Sequence, residues 1–506
     1  MRLIITLLLI TFSLQAETLY KSIISNPARL NPLLATDSAS SAITSYIFNG
    51  LVKYDKDAKI VGDLAKKYEI KSPTKIIFYL RDNVLWHDGE KFTAKDVVFT
   101  FNLLELAMQG DAKRISTPHS TDFRRVKSVK ALDDYTIEVV YKTPYFKALE
   151  IWMEGIVPEH ILKDVDNYMT AKFNKNPIGT GPYKLKRLEL SKSIILEANE
   201  NYFEHKPYID TIIYSIVPDP TTNFYLLKKS EIDLNSLTPI QLEKKVDKSF
   251  LKKYQIIEQI SKGYTYLGFN LKKKLFQEPR LREAIKLGID KKELVDILFF
   301  KHGQACYGPF LPGTYAYNKK FEHYSYDPKR AKELLKELGY TKENPLTFEL
   351  ATNTGNSIRR AAAEVIQYQL EKIGVKVKLR MMEWQAFLNT KVFAKDFDVL
   401  LLAWSLSLTP DAYSIWHSAN RDKAGGFNFI SYKNSEVDRL ILKAEKTTDK
   451  AEIAKMYHKI FALIVHDNPY VFLYIPNSIT AVNSNISPII KSIVGIEHNQ
   501  IDWIKE

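Results

Sequence analysis

Between Leu346 and Trp404 the chain switches repeatedly between strand and helix periods, and this alternation limits the fold more than any other stretch. Leu346 to Ala351 reads as extended, Thr352-Asn353-Thr354-Gly355-Asn356 as a loop, and Ile358 to Ile373 as a helix stopped by Gly374. Val375, Val377 and Leu379 then alternate with Lys376, Lys378 and Arg380, the period of a half-buried strand. A helix is expected near Trp384 to Phe393, and the apolar run Val399 to Trp404 has the character of a strand covered on both faces. Consecutive strand–helix units favour an α/β architecture, with helices packed on the faces of a sheet. In open α/β sheets ligands lie beyond the carboxyl ends of the strands. The loops Thr352 to Asn356 and Ser405 to Asp411 are therefore the first places to look for function.

The chain opens with Met1, Arg2 and the apolar run Leu3 to Leu14, closing at Leu14-Gln15-Ala16 before Glu17. That is the build of a secretory signal peptide, residues 1–16, cut after Ala16. A permanent anchor needs about 20 apolar residues, and no later stretch supplies them, so the mature chain is expected to be soluble. The single cysteine, Cys306, is far from the cleavage point. It provides neither an acylated N-terminus nor an intramolecular disulfide partner, so the protein is expected to be free in a periplasm. A length of 506 residues suggests two or three domains. The net charge of +13 raises the question of nucleic acid or anionic membrane. The cations stand beside acids, as in Lys329-Arg330-Ala331-Lys332-Glu333, and no nucleic-acid-binding motif occurs. They read as a solvated surface, and no nucleic acid partner is expected.

Several short blocks are spread along the chain in a fixed order. They are Asn31-Pro32-Leu33, Phe48-Asn49-Gly50-Leu51, Trp86-His87-Asp88-Gly89 with Phe92-Thr93-Ala94-Lys95-Asp96-Val97, Gly179-Thr180-Gly181-Pro182-Tyr183, and Tyr326-Asp327-Pro328. Phe269-Asn270, Pro279-Arg280-Leu281-Arg282-Glu283-Ala284-Ile285 and Trp416-His417-Ser418 continue the series. Together they resemble the family 5 extracellular solute-binding proteins, the peptide- and nickel-binding family. The resemblance implies a two-lobed periplasmic-binding-protein fold (type II, cluster C-like) with an additional inserted domain. Lobe I would comprise 17–45, 181–261 and 479–506, the inserted domain 46–180, and lobe II 262–478. It further implies a monomeric, non-catalytic protein without a cofactor that captures a short peptide between its lobes. The ligand would then pass to the permease subunits of an ABC transporter in the inner membrane.

Arg359 and Arg360 fall in the first turn of a helix, where cations oppose the macrodipole by about 0.3–1 kcal/mol. A guanidinium beside the free amides of a helix N-terminus is a good carboxylate receptor. By resemblance to dipeptide-binding members, Arg360 takes the position that grips the ligand carboxylate. The plainer reading is a pair of solvated arginines. The same resemblance puts an aspartate for the ligand ammonium three residues beyond Trp404, where this chain has Ser407. A hydroxyl supplies no charge. Asp411 either substitutes from further along the loop or only starts the helix before Ile415 and Trp416. Trp404 is the leading candidate for an aromatic wall, with Tyr264 and Tyr266 behind it, and Ser38 in Asp37-Ser38-Ala39-Ser40-Ser41 is a candidate donor to a ligand backbone. Among 26 Phe, 29 Tyr and 6 Trp most rings belong to the core, and Trp86, Trp152 and Trp384 are read that way.

Two other ligands stay open within the family resemblance, a nickel chelate and an oligosaccharide. The ten histidines form no HxH or HxxxH pair, and His417 is the one nearest the expected crevice. An exported hydrolase is the rival from another class. The chain has no G-x-S-x-G elbow, no H-E-x-x-H helix and no Walker loop.

Overall fold

The computed structural model describes residues 17–111, 113–323, 325–422 and 426–506. The expected signal peptide, 1–16, lies outside the described residues. The alternating region folds as its periods require, into strands Thr347–Asn353, Lys376–Met382 and Val399–Ser405 with the helix Ser357–Glu371 between the first two. The three strands run parallel and finish at one edge of the sheet, at Asn353, Met382 and Ser405. The segment expected to be a helix near Trp384 is α-helical only over Trp384–Phe387 and widens to a π-helix over Leu388–Phe393. Trp384 itself is 40% exposed and is not the core residue expected, whereas Trp86 and Trp152 are buried.

These strands belong to an eight-stranded sheet in the order Leu234–Ser236, Tyr470–Asn483, Gly263–Phe269, Val399–Ser405, Thr347–Asn353, Lys376–Met382. Tyr254–Ile260 and Gly303–Ala305 also pair with the long Tyr470–Asn483 strand. That strand serves two bodies. Its first half pairs with Gly263–Phe269, and from Asn477 onward it pairs with Tyr254–Ile260. The chain thus crosses between the bodies at Ser261-Lys262 and again at Pro476-Asn477, and the two crossings are tied by Ser261 N donating to Pro476 O at 3.1 Å.

The first body is built on the sheet Thr18–Ile23, Thr211–Ile216, Ser193–Ala198, Tyr183–Glu189. The inserted segment adds an antiparallel sheet of Ala65–Ser72, Lys75–Leu80, Thr136–Tyr141 and Val126–Asp133, covered by the helix Ala94–Met108. One continuous core joins the two, from Leu19 and Tyr214 through Phe78 and Trp152 to Trp503. The second body has separate cores on the two faces of its sheet. A moving joint is therefore expected at the paired crossings rather than at the insert, because a shared close-packed core transmits motion as a unit.

Gly179 and Gly181 show why the insert returns where it does. A Cβ on Gly179 would lie 1.8 Å from the carbonyl oxygen of Ile47, and one on Gly181 would lie 2.3 Å from that of Tyr46. The chain entering the insert and the chain leaving it touch backbone to backbone, with Gly181 N donating to Ile47 O at 2.8 Å. Only glycine permits that approach.

His302 stands beside the crossings, between two carboxylates of the first body. Its Nδ1 is 2.9 Å from Glu258, its Nε2 is 2.9 Å from Glu243, and Asn477 donates to Glu258 at 2.6 Å. Burial disfavours the imidazolium, but hydrogen bonds and charge from Glu243 and Glu258 outweigh it and raise the pKa. A raised folded-state pKa means the brace is complete below about pH 6.5 and is lost as pH rises through the folded value. The melting temperature should therefore fall as the pH rises above about 6.5, and His302→Gln should remove that decline. The contribution should be under about 1 kcal/mol, since the group is partly open to water. Equal pH profiles for variant and parent would show that the brace has no such role.

Candidate functional site

The helix Ser357–Glu371 starts at the carboxyl edge of the parallel strands, with the Asn356 side chain capping it through Arg359 N at 2.9 Å. This geometry separates the two arginines. Arg360 is exposed, and Arg359 is the one that folds back, donating from Nη1 to Asn353 Oδ1 at 2.6 Å. Its guanidinium lies by the phenols of Tyr266 and Tyr474, and burial lowers its pKa. Among the described residues it has no carboxylate partner within salt-bridge distance, and Asn353 is its one hydrogen-bond partner. Of the five N–H donors on a guanidinium, most are thus left for something else.

Trp404, half-buried at the end of its strand, stacks between Tyr266 at 6.0 Å and Phe429 at 5.3 Å, with Phe427 edge-on at 5.7 Å. Its Nε1 donates to Tyr470 Oη at 3.4 Å. The stack stands at the carboxyl end of the strand, and its rings are not among those lining the cavity described next. Tyr264, expected as part of an aromatic wall, is a core residue instead. It is 1% exposed, as Tyr266 is, and packs edge-on against Phe472 at 5.4 Å within the core of Cys306, Phe310 and Trp416 that covers this face of the sheet.

Beyond Trp404, Ser407 enters a cavity of about 380 Å³ between the bodies. Among the described residues Ser407 is the one lining residue from the second body; the rest of the lining comes from the first body, mainly the helix Ser38–Ile47 and the insert. Ser38 is exposed at the first turn of that helix and does not line the cavity; Ser41, Thr44 and Ser45, on the face a turn further on, do. Asp411 is already engaged: Oδ1 accepts from Tyr413 N at 2.8 Å, and Oδ2 lies 3.5 Å from Lys147 Nζ. Burial disfavours the charge on Lys147, but Asp411 and Asp122 more than offset this and raise its pKa. His417 is buried against Tyr413 at 4.7 Å, and its Nδ1 accepts from Ala419 N.

Residues 59–426 match the model of the bacterial extracellular solute-binding proteins, family 5. The chain belongs to that family. It is 33% identical to the oligopeptide-binding protein AppA of Bacillus subtilis over 92% of this chain and 87% of that one. The solved structure of that AppA, in complex with a nonapeptide, superposes with a TM-score of 0.84 at 30% identity, covering 97% of this chain and all of the other. NikZ from Campylobacter jejuni, solved with Ni(L-His), gives a TM-score of 0.85 at 27% identity over 97% of this chain and all of that one. The two-lobed α/β architecture with an inserted domain is thus that of the family.

As a family 5 protein, the chain also carries contacts across its crevice that sequence reading missed. Glu445, on the helix Ser435–Glu445 of the second body, is 3% exposed and accepts from both Arg124 and Arg125 of the insert. Phe146 N donates to its carbonyl at 3.2 Å. Tyr54 and Thr409 meet through their hydroxyls at 3.3 Å, and Lys262 Nζ donates to Val494 O at 2.7 Å. The partners of the Arg–Glu clasp lie 320 or more positions apart, so no local period could reveal it.

Proposed function

We propose that this chain is the solute-binding component of an ABC importer, closing its two lobes on a short peptide and passing it to the membrane permease. The observation that carries this reading is Arg359, a half-buried guanidinium without a counter-charge among the described residues at the carboxyl edge of the sheet. Such a group suits a ligand carboxylate. The Trp404 stack and a cavity within the roughly 300–1,000 Å³ of small-ligand sites add to its support. So do the names of relatives, which include oligopeptide- and dipeptide-binding proteins. We assign the ligand contacts to Arg359, Trp404 and Ser407, and the lobes to 17–45, 181–261 and 477–506 for the first and 262–476 for the second, the last boundary set by the crossing at Pro476-Asn477. The protein acts as a periplasmic monomer released by cleavage after Ala16, without catalysis.

A nickel chelate is the second reading, favoured by the likeness to the Ni(L-His)-bound structure. An amino-acid chelate offers the same carboxylate to Arg359. Native mass spectrometry of protein purified from its own host, followed by mild denaturation, decides between them. Released masses of two to several residues are expected. A nickel isotope pattern would favour the second reading, and a sugar mass would overturn both.

A further inference from the structure

We propose that Glu150, backed by Asp122, receives the ligand's ammonium group, so that in this protein the charge at the amino end of the peptide is met by the inserted domain. This rests on the peptide reading and deepens it. Glu150, Asp122 and Ser407 line the same cavity, the first two from the insert and Ser407 from the second body. Ser407 Oγ is spent on its own loop, donating to Thr409 O at 2.6 Å, and what remains is a lone pair without charge. An ammonium group left unpaired in such a place is costly.

The charges around the cavity do not cancel. Glu154 is matched by His119 at 2.8 Å; burial opposes the charge on that histidine, and Glu154 outweighs it, raising the pKa to about 9. Asp411 is matched by Lys147 at 3.5 Å, and Asp122 stands 3.9 Å from the same lysine. Glu150 has no ion pair within 4 Å among the described residues; its neighbours are the Lys147 ammonium, already shared with Asp411 and Asp122, and the hydroxyls of Tyr54 and Thr409. Among the residues lining the cavity, the carboxylates of Asp122, Glu150 and Glu154 thus outnumber the cations His119 and Lys147, which Asp411 also draws on, and an incoming cation balances the excess. Burial raises the pKa of Glu150, so its negative charge is strained in the empty protein, and an ammonium group relieves that strain. Lys147 is a poor receptor for a ligand anion, because two carboxylates already face it.

The test offers the full-length mature protein a synthetic mixture of tri- to nonapeptides and the same peptides N-acetylated, with the retained species weighed by native mass spectrometry. The parent protein is expected to retain free-amine forms about tenfold over acetylated ones. Glu150→Gln keeps the shape and the hydrogen bonds, and should retain peptides but lose most of this preference, with an unchanged melting temperature. Asp122→Asn, at a side chain 45% exposed, should lessen the preference and serves if the first variant folds poorly. An undiminished preference in both variants, or none in the parent, overturns the proposal and leaves the peptide reading standing. No retained peptide in any protein overturns both.

Discussion

Arg359→Ala is expected to weaken binding of a free-carboxylate peptide by about 100-fold or more, and Arg360→Ala by no more than about threefold. Truncating one partner of a desolvated charge pair costs about 2–5 kcal/mol, whereas an exposed charge contributes about 0–1 kcal/mol. Arg359 is half-buried with its guanidinium fixed by Asn353, and Arg360 is exposed. The helix should survive either change, since its cap is the Asn356 side chain on a backbone amide. Titration calorimetry against one retained peptide gives both values, with the melting temperature of the empty protein as control. Arg359→Lys should recover only part of the loss, because an ammonium cannot reproduce the two-pronged grip. A larger effect at Arg360 would return the carboxylate to the position expected from the family resemblance.

Glu445→Ala should open the protein. Removing a buried carboxylate that serves two guanidinium groups leaves two half-buried cations facing each other, at a cost of about 3–5 kcal/mol. That cost falls on the closed arrangement alone, because the arginines sit on the insert and the glutamate on the second lobe. Such a bias is enough to reverse a two-state population. Small-angle scattering should show a larger radius of gyration, and peptide affinity should fall by about two orders of magnitude. Replacing Arg124, Arg125 and Glu445 together should restore part of the loss, since no unpaired charge then remains. Unchanged scattering in Glu445→Ala would mean that the clasp does not contribute to closure.

The sheet and the edge at which its parallel strands end were legible because their signals are local. Val375, Val377 and Leu379 alternate within a few residues, and the apolar run Val399 to Trp404 needs only its own composition to read as covered. The choice between Arg359 and Arg360 was not legible, because one helical step turns a side chain by about 100°. The starting phase depends on where Asn356 caps the helix, which a reading that starts near Ile358 leaves open. Tyr264 was misread because the residues that bury it, among them Phe310, Trp416 and Phe472, lie from tens to some two hundred positions away. Lys147, Glu150, His302 and Glu445 carry no local period at all. Each looks like an ordinary surface charge until the lobes meet.

The long strand Tyr470–Asn483 also sets a timetable. Both lobes complete their sheets on it, and Lys505 closes the first lobe by bonding Glu17 across 488 positions. Contacts so distant in sequence form slowly, since a large loop must close before any of them is rewarded. A chain emerging from its N-terminus therefore cannot finish either lobe until nearly its last residues have been made. Premature truncation anywhere before Tyr470 should leave two incomplete halves rather than one folded lobe and one missing.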